Sequence, residues 1–320
     1  MSPVGGEPRF SIVVPVYNNR GTVKALLERI EWINAEVGGG VEAVIVIDGS
    51  PDDSADLLVE WLPKASFSSQ LLRHSRNFGS FAAIATGLAA CRGEFVAVMA
   101  ADLQEPADLI VTFLQVLERR EAQIVVGVRA ARDDPGASTA MSKLFWRVYR
   151  RVVNPEIPAG GVDIFGCDRQ VAHELADLRE VRSSLVGLLY WVGYDRVEIP
   201  YERQPRTDGQ KSGWSFRRKM RYMSDSIFSF TSLPIDALLA IGLVGTVGSL
   251  LIAVAVLLGR ASGAIEVPGY TALMIVILVS TSLILLALGI VGTYVWRVFE
   301  NVKGRPGSIV MTRESFGPDR

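Results

Sequence analysis

Two long uncharged apolar stretches, Ala237–Leu258 and Tyr270–Trp296, follow one another near the C-terminus of this 320-residue chain, behind a far more polar N-terminal portion. Each exceeds the roughly 20 residues that an α-helix needs to cross ~30 Å of hydrocarbon. Neither contains the kind of charged side chain whose insertion costs a few kcal/mol. Soluble helices of that length normally keep one polar face. The pair therefore reads as two membrane-spanning helices, and the rest of the chain must be organised around attachment to a bilayer.

Net charge is −1, which excludes the broad basic field of a nucleic-acid binder. The sign changes locally. Arg217, Arg218, Lys219 and Arg221 precede the first apolar stretch, and Arg297, Lys303, Arg305 and Arg313 follow the second. The connecting Gly259–Gly269 offers only Arg260 against Glu266. Positive charge flanking both outer ends predicts a multi-pass protein of the inner (plasma) membrane with both termini in the cytoplasm. The N-terminal MSPVGGEPRF shows no basic-then-apolar leader, so the polar portion is expected to stay in the cytoplasm. Cys91 and Cys167 are too few and too separated for a disulfide framework or a zinc site. Phe216, Met220, Met223, Ile227 and Phe230 repeat at intervals of three and four, with the arginines off that stripe. Such a helix is expected to lie on an anionic lipid surface.

Over the first 200 residues, short β-branched runs alternate with helical patterns. Strands are predicted at Phe10–Val16, Val41–Ile47, Gln70–Arg73, Phe95–Met99, Ile124–Val128 and Arg196–Tyr201, several apolar at consecutive positions as strands covered on both faces should be. Helices are predicted at Gly21–Val37, Asp53–Trp61, Gly79–Cys91, Pro106–Arg120 and Ser138–Val153. The alternation implies an α/β fold, a mostly parallel sheet with helices on both faces. Ligands in such sheets gather at the C-terminal ends of the strands, which directs attention to Tyr17–Asn18, Asp48–Ser50, Arg76–Asn77 and Asp102–Gln104.

Val14-Pro15-Val16-Tyr17-Asn18-Asn19 ends the first strand, and Ile47-Asp48-Gly49-Ser50-Pro51-Asp52-Asp53 follows the second. Each alone is a common turn or helix cap. In this order they could line one pocket, with Asp48 accepting from a base or ribose and Pro15–Tyr17 packing on the base. Ser75-Arg76-Asn77-Phe78-Gly79 leads into an Ala-rich helix, and Asp102-Leu103-Gln104-Glu105-Pro106 follows the fourth strand. A carboxylate at a strand end can hold Mg²⁺ against a diphosphate, since that ion accepts one or two protein carboxylates and fills its octahedron with phosphate oxygens and water. Gln104 could supply a second oxygen.

The segments SIVVPVYNN, IDGSPDDS, SRNFG, AADLQEP and KSGWSFRRK resemble family-2 glycosyltransferases of the GT-A fold. More narrowly, the chain resembles polyprenyl-phosphate glycosyltransferases such as dolichol-phosphate mannose synthase and undecaprenyl-phosphate glucosyltransferase. That resemblance implies nucleotide-sugar contacts from Pro15, Tyr17, Asn18, Asp48, Ser50, Arg76, Asn77, Ala101 and Asp102, and from a closing loop with Arg203, Arg206, Lys211 and Ser212. It implies Mg²⁺ or Mn²⁺ on Asp102 and Gln104, and Arg129 near the acceptor phosphate. Asp163 occupies the place of a carboxylate that is catalytic in many family-2 enzymes. Three departures stand out: Ala100 replaces the first acidic residue of the family's Asp-Ala-Asp-Leu-Gln motif, Ile47 replaces the first Asp of Asp-Asp-Gly-Ser, and Ser138 or Thr139 stands where a basic residue is expected before Ser142-Lys143-Leu144-Phe145, a place near the acceptor phosphate that Arg132 could fill instead.

The implied activity is inverting transfer of a hexose from a nucleotide sugar of the UDP-glucose or GDP-mannose type to undecaprenyl or dolichyl phosphate. Alternatives are a family-2 transferase acting on a sugar hydroxyl, which would need a general base, and an inactive nucleotide-sugar-binding membrane scaffold. The expected organisation is a catalytic domain at 1–215, an interfacial helix at 216–232, a two-helix membrane hairpin at 233–297 and a tail at 298–320. Gly242, Gly245, Gly248, Gly289 and Gly292 allow close helix approach and with it a homo-oligomer.

Overall fold

Among the described residues, eight strands form one sheet in the order β7-β5-β6-β4-β1-β2-β3-β8. The computed structural model describes residues 7–129, 150, 155–158, 162–178, 185–204, 231, 233–262 and 269–317. In chain order the strands are β1 (Phe10–Val16), β2 (Val41–Ile47), β3 (Ser68–His74), β4 (Phe95–Val98), β5 (Ile124–Arg129), β6 (Val162–Asp168), β7 (Arg196–Tyr201) and β8 (Val310–Phe316). Strands β1 to β5 and β7 run parallel, whereas β6 is antiparallel to β4 and β5, and β8 antiparallel to β3.

Among the described residues, helices α1 (Val23–Glu36), α2 (Ser54–Trp61), α3 (Ser80–Ala90), α4 (Ala107–Glu118), α5 (Arg169–Asp177) and α6 (Leu185–Trp191) accompany this sheet. Helix α1 shows why they dock. Val23, Leu26, Leu27, Ile30 and Ile33 recur at the helical period and are all buried. The core includes Phe10, Ile12, Val14, Ile45, Leu71 and Phe113, each worth roughly 1.5–3 kcal/mol on burial. Every residue of β2 is buried, Glu42 included. That carboxylate accepts from Ser11 Oγ at 3.0 Å, Gln70 Nε2 at 2.9 Å, Arg92 Nε at 2.6 Å and the Arg92 amide at 3.0 Å.

The mixed α/β sheet with flanking helices agrees with the expected α/β class, and the six expected strands are present with small shifts at the ends of β3, β4 and β5. Strands β6 and β8 are not among those expected. The start of β6 reads as a glycine turn, and β8 is a largely exposed edge strand without an apolar alternation to betray it. The expected C-terminal tail from 298 differs accordingly: its first residues continue a helix to Val302, and residues 310–316 enter the sheet. The helix expected over Ser138–Val153 and the amphipathic helix over 216–232 lie outside the described residues, save for Arg150 and Thr231.

The chain divides into two compact units, residues 1–220 with 306–320, and residues 221–305. The second holds α7 (Leu233–Ala261) and α8 (Tyr270–Val302). Leu239, Leu251, Leu273 and Leu288 in these helices are at least 60% exposed, apolar surface with no protein cover. Among the described residues one helix segment, Val279–Val302, is long and apolar enough to cross a membrane, with mean hydropathy 1.8. The expected first span contributes only the shorter apolar stretch Pro234–Gly245 there, because several side chains of α7 fall outside the described set. Two crossings thus remain an expectation, and one candidate is found.

Candidate active site

Because β1 to β5 run parallel, their C-terminal ends share one rim. Onto it open the turns at Tyr17–Thr22, Asp48–Asp53, Ser75–Gly79 and Met99–Pro106. Pro15 sits in β1 beyond the last residue paired with β4, so its missing N–H breaks no ladder on that side. Tyr17, 48% exposed, stands at the strand's end, and Asn18 follows in the left-handed region at φ 58°.

The first two turns are tied by Asp52. Its Oδ1 accepts from Ser50 Oγ at 2.5 Å and Ser54 Oγ at 2.7 Å, and its Oδ2 from the Arg20 amide at 2.9 Å. The Asn18 amide donates to Ser50 Oγ at 2.7 Å. Burial opposes the charge on Asp52, but these hydrogen bonds outweigh it and hold the carboxyl below its ordinary range. Nothing in the sequence singles out Asp52, since Asp-Asp-Ser reads as a helix start.

Asp48 differs from expectation. It is only 2% exposed. Its Oδ1 accepts from the Phe78 amide at 2.8 Å and lies 2.9 Å from His74 Nδ1, while Oδ2 accepts from the Gly79 amide at 2.8 Å. A carboxylate so engaged holds the turn before α3 rather than reaching for a base or ribose. Burial disfavours its charge, yet the bonds from His74, Phe78 and Gly79 prevail and lower its pKa. Gly49 completes the junction. With φ +60°, it sits so close that a Cβ would lie 2.3 Å from the Arg76 carbonyl carbon and 2.4 Å from the Asn77 nitrogen. Only glycine fits there. Arg76 and Asn77 are exposed at the rim, the guanidinium 4.0 Å from the centroid of the Phe78 ring.

The Asp102 turn is fixed from below. Thr22 Oγ1 donates to Ala101 O at 2.8 Å, and Arg29 Nη1 donates to Leu103 O at 3.3 Å and Glu105 O at 2.5 Å. Leu103, buried, takes φ 58°, a conformation that costs a non-glycine residue on the order of 1–3 kcal/mol and tends to occur at functional sites. Sequence reading missed Thr22 and Arg29 because both belong to the polar spacing of an ordinary amphipathic helix start. Gln104 Nε2 donates to Gln204 O at 3.2 Å, and the Gln204 amide donates to Gln104 O at 2.8 Å. Arg203 Nη2 thereby lies 3.9 Å from Asp102 Oδ2, with 15% of the Asp102 side chain exposed.

Among the described residues no three His, Cys, Asp or Glu side chains come close enough to cage a metal. Asp102 and Gln104 do share one turn. That set fits a cation whose remaining ligands are phosphate oxygens and water, and does not fit an all-protein site. Arg129 ends β5, and β6 begins beside it with Val162 opposite Val128, which puts the Asp163 backbone at the same rim. Arg132, Ser138, Arg206, Lys211 and Ser212 lie outside the described residues. An open crevice of about 440 Å³ beside Tyr190, Arg196 and Glu198 lies at the start of β7, the opposite end of the sheet.

A family model for glycosyl transferase family 2 matches residues 11–176. An uncharacterized glycosyltransferase of Synechocystis is 31% identical over 298 residues, covering 93% of each chain. The uncharacterized glycosyltransferase YkcC of Bacillus subtilis is 28% identical over 315 residues, covering 97% of this chain and 94% of that one. Among solved structures, mannosyl-3-phosphoglycerate synthase from Rubrobacter xylanophilus is 17% identical with a TM-score of 0.49, covering 68% of this chain and 71% of that one. With the family model spanning every rim turn from β1 to the Asp102 motif, and a relative aligned along nearly the whole length, the chain belongs to glycosyl transferase family 2.

Proposed function

We propose that this glycosyltransferase moves a hexose from a nucleotide sugar to a polyprenyl phosphate at the cytoplasmic face of a membrane, with inversion at the anomeric carbon. The observation that carries the reading is the union, in one chain, of a single rim bearing Asp102, Gln104, Arg129 and Arg203 with an apolar helix of membrane-spanning length. The donor diphosphate would meet Asp102 and Gln104, with Tyr17, Asn18, Ser50, Arg76 and Asn77 toward the nucleotide. Mg²⁺ or Mn²⁺ held by Asp102 and Gln104 supplies, when bound, neutralisation of the leaving diphosphate.

A phosphate monoester has its second pKa near 6 and is already an anion at cytoplasmic pH. Its oxygen attacks the anomeric carbon as the bond to the diphosphate breaks, and no proton needs to be removed. The protein's tasks reduce to alignment and charge stabilisation: Arg129 draws the second anion into line, and Arg203 offers a cation beside the departing group. Both predicted apolar helices, the interfacial helix and a homo-oligomer belong to this proposal.

The test is transfer of radiolabel from UDP-glucose or GDP-mannose into butanol-extractable lipid by the full chain in membranes supplied with polyprenyl phosphate. Asp102→Asn should abolish both transfer and Mn²⁺ binding. Retained metal-dependent transfer would refute the role given to Asp102. No labelled lipid with any common donor would remove the polyprenyl acceptor, and near-total loss of rate in Asp163→Asn would point to a hydroxyl acceptor with a general base.

A further inference from the structure

The chain returns to the sheet after α8, and the point of return is the turn before α3. Ser308 Oγ lies 2.7 Å from Thr86 Oγ1, which lies 2.9 Å from His74 Nε2 and donates to Ala82 O at 2.9 Å. Three contacts fill the capacity of one hydroxyl. His74 Nδ1 continues the chain to Asp48, whose two oxygens hold the Phe78 and Gly79 amides. One residue on, the Ser75 amide donates to Ile309 O at 3.0 Å, and His74 pairs with Val310 across an irregularity in the β3–β8 ladder. The return segment thus grips Ser75–Gly79 twice, once through its backbone and once through a run of side chains that starts at half-buried Ser308 and Thr86 and ends at buried His74 and Asp48.

We infer that Ser308 and Ile309, reached only after α8, are positioning residues of the donor site: they set the Ser75–Gly79 turn through Thr86, His74 and Asp48. This rests on the donor reading above. His74 is 3% exposed and Asp48 2%, so neither can fall back on water when a partner is lost. A displaced donor or acceptor in such a run is transmitted to the next group. The consequence is that affinity for the nucleotide depends on residues more than 200 positions away in sequence, beyond both long apolar helices.

The experiment compares Ser308→Ala, Ser308→Thr and Thr86→Val in the full purified chain. Amide hydrogen exchange is read over residues 75–81, with UDP and GDP titrated in the presence of Mn²⁺. Ser308→Ala should speed exchange of that segment and weaken nucleotide binding roughly five-fold, the worth of one hydrogen bond. Thr86→Val should do more, and Ser308→Thr should return both to within about two-fold of the starting protein. Exchange in β5, on the other side of the sheet, should not change. The inference fails if Ser308→Ala leaves residues 75–81 unaltered, if Thr does not rescue, or if β5 loosens equally, the mark of general destabilisation. Should Thr86→Val not fold, the Ser308 pair decides alone. If the starting protein binds neither nucleotide, the donor reading falls, while the exchange data still settle the positioning claim.

Discussion

Gly49→Ala isolates the contact that locks two of the rim turns together. Two costs are expected. A left-handed conformation at φ +60° costs a non-glycine residue roughly 1–2 kcal/mol. Gly38, at φ +78° with open space where a Cβ would stand, measures that strain by itself. At Gly49 the new methyl would also sit 2.3 Å and 2.4 Å from backbone atoms of Arg76 and Asn77. Those atoms belong to a turn pinned by Asp48, so the turn must shift by about 1 Å to reach ordinary contact, and overpacking of this kind costs about 1–3 kcal/mol more. Gly38→Ala should therefore lower the apparent Tm by about 2–8 °C, and Gly49→Ala by about 4–20 °C, at the roughly 2–4 °C per kcal/mol usual for a unit of this size. Scanning fluorimetry of the purified full chain at one heating rate makes the comparison. Equal losses in the two variants would mean that the close approach to Arg76 carries no energy, and the packing argument would fail.

Asp48 and Asp52 have folded-state pKa values below the ordinary 3.8. Each binds a proton less readily when folded, so its contribution is complete above the unfolded value and is lost as pH falls through the folded one. Apparent Tm should fall below about pH 4, and Asp52→Asn should flatten that acid limb; an unchanged limb would contradict the hydrogen-bond account. Glu42→Ala strands buried Ser11 and Gln70, whereas half-exposed Arg92 can turn to water; the loss should be about 2–6 kcal/mol, with Glu42→Gln costing less, and a loss under about 1 kcal/mol would show that the whole cluster relaxes into water. Burial pushes the Cys91 thiol up to about 12 and Cys167 well above its ordinary range, so neither should react with iodoacetamide until the protein unfolds. Rapid labelling of the native chain would place either sulfur at a surface.

Much of the fold was legible because burial on both faces leaves a simple record. The consecutive apolar runs of β1 and β2 coincide with the predicted strands at every residue. Strand β8 left no such record: Val-Met-Thr-Arg-Glu-Ser-Phe lies at an exposed edge, and its place is set by the ladder β3 offers. Strand β6 was hidden by the glycines before it. At the site, the turns themselves were identifiable from position after a strand. The direction each carboxylate takes was not, since turn composition is the same whether an Asp faces solvent or the turn behind it.

From the order of its residues alone, this chain declares alternating strands and helices, turns at the strand ends, and long uncharged apolar stretches near the C-terminus, because these depend on local periodicity and solvation. Tertiary structure alone decided that Asp48 faces inward to His74 and two amides while Asp102 lies partly open beside Arg203. It also decided that a segment beyond the last helix closes the sheet against the same turn. Those outcomes depend on which distant backbone groups compete for one carboxylate or one hydroxyl, and such competition is settled only when the strands are side by side.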